Sequence, residues 1–135
     1  MGLLVLGVYG SPRKGGNNAD IIILSSPIFF YGLSSQLKAF IDRGQAMWAR
    51  KRLQGSGIGS QENRGRGYLL AVGATRGERL FQCPQMVARY FFDALSMSYE
   101  GGLFFQEIDA KAAVKQHPNA LRKAHDLGMK VAGPE

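Results

Sequence analysis

Two apolar runs near the start of the chain, each ending in a loop of small residues, constrain the fold more than any other feature. Residues 3–9 form the first run, which stops at Gly10, and residues 21–24 form the second, which stops at Ser25. Apolar runs that end at Gly, Ser or Pro are typical of buried strands followed by tight loops. Two ligand-type loops at the same edge of a sheet require their strands to be parallel.

The first loop, residues 10–18, has the composition of a phosphate-binding loop. Its glycines allow backbone N–H groups to approach an anion closely, and its adjacent Arg and Lys supply positive charge. Its spacing matches neither the Walker loop nor the dinucleotide pattern G-x-G-x-x-G. Ordinary turns share this composition, but a second loop of ligand type favours a site for a phosphate monoester. The predicted phosphate ligands are Ser11, Arg13, Asn17 and Asn18.

The second loop is aromatic and leads into a helix. Ser34 or Ser35 is a suitable N-cap, and the apolar residues from Leu37 to Trp48 roughly follow helical spacing. A strand, an aromatic loop and a helix at the carboxyl edge of a sheet predict a platform for a flat ligand. The aromatic residues are equally suited to the core. The predicted platform residues are Pro27, Ile28, Phe29, Phe30, Tyr31 and Gly32.

A third loop of small residues follows the apolar strand at residues 68–72. It comprises Gly73, Ala74, Thr75, Arg76 and Gly77, and its small side chains allow backbone amides to approach a ligand. Arg76 is a candidate contact for a negative charge on a bound ring or for the phosphate of a further ligand that arrives beside it. The alternative for Arg76 is a solvated loop cation.

The remaining elements complete an alternating α/β pattern. A helix is expected over residues 81–97, with its regular part beginning near Pro84, then a strand over 99–106 and a helix opening at Pro118. Strands that alternate with helices predict a doubly wound, three-layer α/β sheet. Residues 1–135 are expected to form one domain.

The three loops together resemble those of the NADPH-dependent FMN reductase-like flavoproteins, especially the branch that contains iron–sulfur flavoproteins. The resemblance rests on residues 10–18, 26–30 and 36–43, and further on residues 73–77, 91–95 and 117–121. It implies a flavodoxin-like fold with strand order 2-1-3-4-5. It also implies FMN as the cofactor, with the first loop on the phosphate and the other two loops beside the isoalloxazine ring.

The spacing of the first two strands departs from this family. A six-residue strand spans about 20 Å, whereas two residues, Ala19 and Asp20, reach only about 7 Å. They cannot return the chain to the opposite edge of the sheet for a parallel pair. The family places a helix, the second strand and another helix in this interval. We therefore expect that segment to be absent near Asn18–Ala19, either through omission or in a deleted variant with a rearranged fold.

Composition excludes several classes of protein. The net charge of +7 would suit a nucleic-acid partner, but the cations are dispersed and the acidic residues of an absent segment are not counted. We therefore expect no nucleic-acid partner and no membrane partner. The single cysteine, Cys83, suits a reducing compartment, the cytoplasm, and is expected to pack within a helix. No metal site is predicted, and cluster-binding cysteines of the iron–sulfur branch would lie in the absent segment.

The sequence shows no nucleophile–base pair and no paired carboxylates, so no catalytic side chain is predicted. Because a flavin supplies its own redox chemistry, the leading interpretation is an FMN-dependent oxidoreductase that uses NAD(P)H and passes electrons to a small molecule or a redox protein. The alternatives are a flavodoxin-like electron carrier, an iron–sulfur flavoprotein, and a module without flavin. The resemblance further implies a homodimer or homotetramer, with Trp48 or residues 29–31 near the interface.

Overall fold

The computed structural model describes residues 7–10, 19–54 and 65–133. The strands are β1 (Gly7–Gly10), β2 (Ala19–Phe29), β3 (Gly32–Leu33), β4 (Arg66–Val72) and β5 (Ser98–Phe105). The helices are α1 (Ser35–Asp42), α2 (Gln45–Leu53), α3 (Gln82–Ala94) and α4 (Ala120–Ala132), with a short 3-10 helix at Ala113–Lys115.

The sheet has the order β1-β2-β4-β5, with β3 pairing back on β2. Strands β2, β4 and β5 are parallel, with Leu24 beside Leu69 and Ala71 beside Phe104. The crossovers between these strands contain α1 and α2, then α3. The expected doubly wound α/β sheet is therefore confirmed for this part of the chain.

The first strand pair differs from the expectation, because β1 runs antiparallel to β2. Residues 11–18 connect the two strands and are fewer than the dozen or so that a parallel crossover requires, whereas a hairpin needs no crossover. The expectation that these strands are parallel is therefore wrong for the described strands. The Asn18–Ala19 junction itself lies outside the described residues.

The main core lies between one face of the sheet and helices α1 and α3. Leu24, Leu37, Leu69 and Phe92 are its largest fully buried members, and all four belong to one contiguous cluster. Strand residues two apart point to the same face, so Ser26 and Ile28 of β2 also point toward α1 and α3. We call this the helix-covered face.

The opposite face carries a thinner layer. Tyr68 is buried there, but Ile23, Leu70, Val72 and Leu103 remain partly exposed. In the described part of the chain, this face is covered by α4, which buries Ala120 and Val131, and by the 3-10 helix before it. Parallel sheets are normally covered on both sides, so this face is incompletely packed.

The helix predicted from Ser34 to Trp48 is divided into α1 and α2 at Gly44. A Cβ atom at Gly44 would lie 2.9 Å from the carbonyl oxygen of Ile41 and 3.1 Å from the ring of Phe91. Because glycine has no side chain, Gly44 lets the chain approach α3 more closely at this break than any other residue type would. Helix α3 tolerates Pro84 because an N–H in the first helical turn needs no intrahelical partner.

An apolar groove of about 550 Å³ lies between α1, α2 and α3. We call it the α1–α3 groove; its lining includes Ile41, Trp48, Met86 and Tyr90. Cys83 also lines it and is exposed in the first turn of α3, so the expectation that it packs within the protein is wrong. No helix of the described residues is both long enough and apolar enough to cross a membrane.

Candidate functional site

The carboxyl end of β2 is tied to the start of α1 by two buried serines. The Ser34 amide donates to Ser26 Oγ at 2.9 Å, and Ser26 Oγ donates to the carbonyl of Pro27 at 2.7 Å. The Ser34 side chain in turn accepts from the amide of Leu37 and caps the helix, as expected. These bonds fix the two ends of the aromatic loop.

The aromatic loop is a tight two-residue turn between β2 and β3. Phe29 pairs with Gly32, which leaves Phe30 and Tyr31 at the tip, both in the left-handed region with φ of 48° and 61°. Two consecutive positive φ values define the turn type that normally selects Asn-Gly, so aromatic residues there are strained by about 1–3 kcal/mol each. Strain of this kind is concentrated at functional sites.

The structure treats the six predicted platform residues differently. Ile28 belongs to the core, and Pro27 and Gly32 are partly buried. Phe29 and Tyr31 are about half exposed, and Phe30 is fully exposed. The aromatic rings at the tip are therefore not core residues and are available to a ligand.

The third loop meets the aromatic turn at Gly77. A Cβ atom there would lie 2.3 Å from Tyr31 Oη, so only glycine leaves room for the tyrosine hydroxyl. At the other end of the loop, a Cβ at Gly73 would lie 2.4 Å from Cδ2 of the buried Leu80. The second and third loops thus form one surface at the carboxyl edge, as the parallel strands require.

The segment that follows β5 holds the third loop in place. The Gly73 amide donates to the carbonyl of Phe105, and the Ile108 amide donates back to Gly73. Gln106 Nε2 donates to the carbonyl of Gly77 at 3.0 Å. Sequence reasoning missed this contribution, because a single Gln after a strand carries no recognisable signal.

The amides of residues 74–77 have no acceptor among the described residues. Ala74, Thr75 and Arg76 are exposed, so this loop is accessible to a ligand. Consecutive unpaired N–H groups in a loop attract negative charge on a ligand. This surface can therefore stabilise an anionic edge of a bound group.

Arg76 Nη2 forms an ion pair of 2.6 Å with Glu107 Oε1. The hydrogen bond from Arg76 to Glu107, together with the carboxylate charge, raises the pKa of the guanidinium. The pair is exposed, so it remains accessible to ligands. Arg76 is therefore a solvated loop cation that is paired with Glu107, and a ligand role for it stays a prediction.

The predicted phosphate ligands Ser11, Arg13, Asn17 and Asn18 lie outside the described residues. The flanking residues Gly10 and Ala19 pair with each other at the amino end of β2. The aromatic turn lies at the opposite end of that strand. Among the described residues, no group of three His, Cys, Asp or Glu side chains is placed to hold a metal ion.

The family model described as NADPH-dependent FMN reductase matches residues 17–105. The chain belongs to this family. The match covers the aromatic turn and the third loop of this FMN reductase family member and begins inside the predicted phosphate loop. No curated protein matches the sequence.

Solved structures support the flavodoxin-like fold of this FMN reductase family member. The Trp repressor binding protein from Bacillus subtilis is 22% identical over 86% of the chain, with a TM-score of 0.52. A flavone reductase is 20% identical over 85% of the chain, with a TM-score of 0.55. The chain spans only 65% and 42% of the lengths of these two proteins.

Proposed function

We propose that this chain is an FMN-binding oxidoreductase that takes electrons from NAD(P)H and delivers them to a small molecule or a redox protein. The observation that carries the proposal is the contact between Tyr31 and Gly77, which joins an exposed aromatic turn to a loop of unpartnered amides. Membership of the NADPH-dependent FMN reductase family supports the same chemistry.

The residues at the carboxyl edge fit the ring of FMN. Gly73 and Gly77 let the third loop pack directly against Leu80 and Tyr31. The exposed rings of Phe29, Phe30 and Tyr31 form one wall beside it. The proposed ring contacts are residues 27–32 and 73–77. Bound FMN would supply the redox chemistry by accepting a hydride from the nicotinamide and releasing electrons to the acceptor.

The protein's own part in this reaction is to bind and orient. Backbone amides of residues 74–77 would stabilise negative charge at the ring edge, because they have no acceptor among the described residues. Small residues in the third loop would leave one face of the ring open for a nicotinamide to stack. No side-chain acid or base is assigned to the reaction.

Anaerobic mixing with NADPH tests the activity. We expect the purified protein to bind FMN, and we expect the bound flavin to be bleached rapidly by NADPH. A flavin-loaded protein that NADPH does not reduce would indicate an electron carrier instead. A colourless protein that FMN does not reconstitute would contradict flavin binding altogether.

The predicted phosphate ligands are tested by Arg13→Ala. A charge-assisted hydrogen bond is worth about 1.5–3 kcal/mol, so FMN binding should weaken by roughly 10-fold to 150-fold. Riboflavin, which lacks the phosphate, is the control ligand and should bind equally well to both proteins. Fluorescence titration measures both affinities, and an unchanged FMN affinity would remove Arg13 from the site.

We further propose that the chain lacks a helix–strand–helix segment between Asn18 and Ala19. The family match starts at residue 17, and the chain is shorter than both similar structures, which supports a discontinuity there. With that segment, β1 could run parallel to β2 and bring the phosphate loop to the same edge as the aromatic turn.

The intact mass of the protein from its native source tests this proposal, and a mass equal to that of residues 1–135 would contradict an omission. Cysteines in the segment would favour the iron–sulfur branch.

We also propose that the protein is a homodimer or homotetramer of the cytoplasm, with Trp48 near the interface. The α1–α3 groove supports this arrangement, because Met47, Trp48, Met86 and Tyr90 are all substantially exposed on it or beside it. A second copy would cover these apolar side chains. Light scattering should show an oligomer at micromolar concentration and a shift toward monomer for Trp48→Glu. A wild-type monomer would contradict the proposal.

A further inference from the structure

We propose that Glu107 controls how tightly the nicotinamide nucleotide binds. In this proposal, its carboxylate holds the Arg76 guanidinium until a phosphate group of the arriving dinucleotide replaces it. The inference rests on the proposed function, and it assigns the Arg76–Glu107 pair to the second substrate rather than to FMN.

The position of the pair separates it from the proposed ring site. The third loop lies between the aromatic turn that follows β2 and the segment that follows β5, because β4 is the strand between β2 and β5. Gly77 contacts Tyr31 on the β2 side, whereas the Arg76 guanidinium contacts Glu107 on the β5 side. The Arg76 charge is therefore drawn away from the cleft between the second and third loops. The Arg76 guanidinium is therefore placed to bind a ligand that approaches from outside this cleft.

The backbone fixes Glu107 in this position. Glu107 has a φ of 59°, in the left-handed region that a non-glycine residue seldom adopts. Hydrogen bonds on both sides of it, from Gln106 Nε2 to Gly77 and from the Ile108 amide to Gly73, attach the segment to the third loop. The backbone of Glu107 is therefore held beside the third loop, within reach of Arg76.

The chemistry of the pair favours exchange with a phosphate. The side chains of Arg76 and Glu107 are 78% and 56% exposed, so the ion pair is weak and a dianionic group can reach it. Arg binds phosphate through two parallel hydrogen bonds, which is the same geometry that it uses with a carboxylate. Glu107 competes for the guanidinium, so it lowers the affinity of every phosphate-bearing ligand that Arg76 binds.

The test is the affinity of Glu107→Gln for NADP⁺ and NAD⁺, measured by calorimetry on the FMN-loaded protein without turnover. We expect NADP⁺ to bind about 3-fold to 10-fold more tightly than to the wild type at low ionic strength, with a smaller gain at high salt. The gain for NAD⁺ shows whether the 2′-phosphate or the pyrophosphate makes the contact. Glu100→Gln is the matched control, because it removes the same charge from an exposed residue in the amino-terminal half of β5.

A double-mutant cycle isolates the pair. In an Arg76→Gln background, Glu107→Gln should leave the NADP⁺ affinity unchanged, because the guanidinium that it releases is gone. An equal gain from Glu100→Gln, or a gain that survives in the Arg76→Gln background, would overturn the proposal. Failure of the proposed function is distinct, because FMN titration of the wild type and NADPH bleaching report it directly. If FMN binds and is reduced but Glu107→Gln has no effect, only the role of Glu107 is refuted.

Discussion

Gly77→Val is expected to reduce FMN affinity by roughly 5-fold to 150-fold, because overpacking costs about 1–3 kcal/mol. Even a Cβ atom at this position would lie 2.3 Å from Tyr31 Oη, so the tyrosine must move. The half-exposed Tyr31 ring then rotates away from the third loop, which opens the junction between the two loops. Flavin content after purification and the rate of NADPH oxidation measure the effect.

Two further variants show whether the Gly77→Val effect arises at the site. Gly77→Ala combined with Tyr31→Phe should bind FMN better than Gly77→Ala alone, because removal of the hydroxyl relieves the closest contact. Phe30→Leu should have a smaller effect than Gly77→Val, because the ring of Phe30 is fully exposed.

Gly73→Val should impair FMN binding as well. It should also lower the melting temperature of the protein, because the new side chain clashes with the buried Leu80. Full flavin content and full NADPH oxidation in both glycine variants would show that the third loop is not part of the site.

Phe92→Ala is expected to lower the free energy of unfolding by about 3–5 kcal/mol. The ring is fully buried at the centre of the helix-covered face, where it contacts Phe91 and stacks on Tyr99 with a centroid distance of 6.1 Å. Gly67 on β4 leaves the space that the ring occupies, because a Cβ there would lie 2.3 Å from it. Removal of the ring therefore leaves a cavity that rigid strands cannot close.

Urea denaturation followed by circular dichroism measures this loss as a lower transition midpoint. Arg89→Ala is the control, because Arg89 lies on the same helix but is exposed and outside the α1–α3 groove, and a change within about 0.5 kcal/mol is expected. Equal destabilisation by the two variants would mean that Phe92 is not the centre of the core. A loss of about 3–5 kcal/mol is a large part of the stability of a small domain, which is typically about 5–15 kcal/mol.

The secondary structure around the second and third loops could be predicted from local pattern. The β-branched run at 21–24, the N-cap at Ser34 and the apolar run at 68–72 lie where the sequence indicated. These signals are local, because they depend on side-chain periodicity and on the hydrogen bonds of a helix start. The break at Gly44 was missed because its cause, close packing against Phe91, is not local.

The same distinction applies to the candidate site. The composition of residues 27–32 and 73–77 was enough to predict loops at one edge of the sheet, since parallel strands place their carboxyl ends together. The left-handed turn at Phe30 and Tyr31 was not predictable, because aromatic residues disfavour it and tertiary contacts impose it. The contribution of Gln106 and Glu107 depends on β5 lying next to β4, which sequence spacing alone does not reveal.

Residue order and chemistry alone were sufficient for the α/β class, the family resemblance and the two loops at the carboxyl edge. Periodicity and loop composition are properties of the sequence itself and do not depend on tertiary contacts. The direction of β1, the partner of Arg76 and the burial of Ile28 beside the exposed Phe29 were decided by the assembled sheet. Each of these features depends on residues that are distant in sequence. Such contacts stabilise the protein only after the strands have paired and the entropy cost of closing the intervening loops has been met.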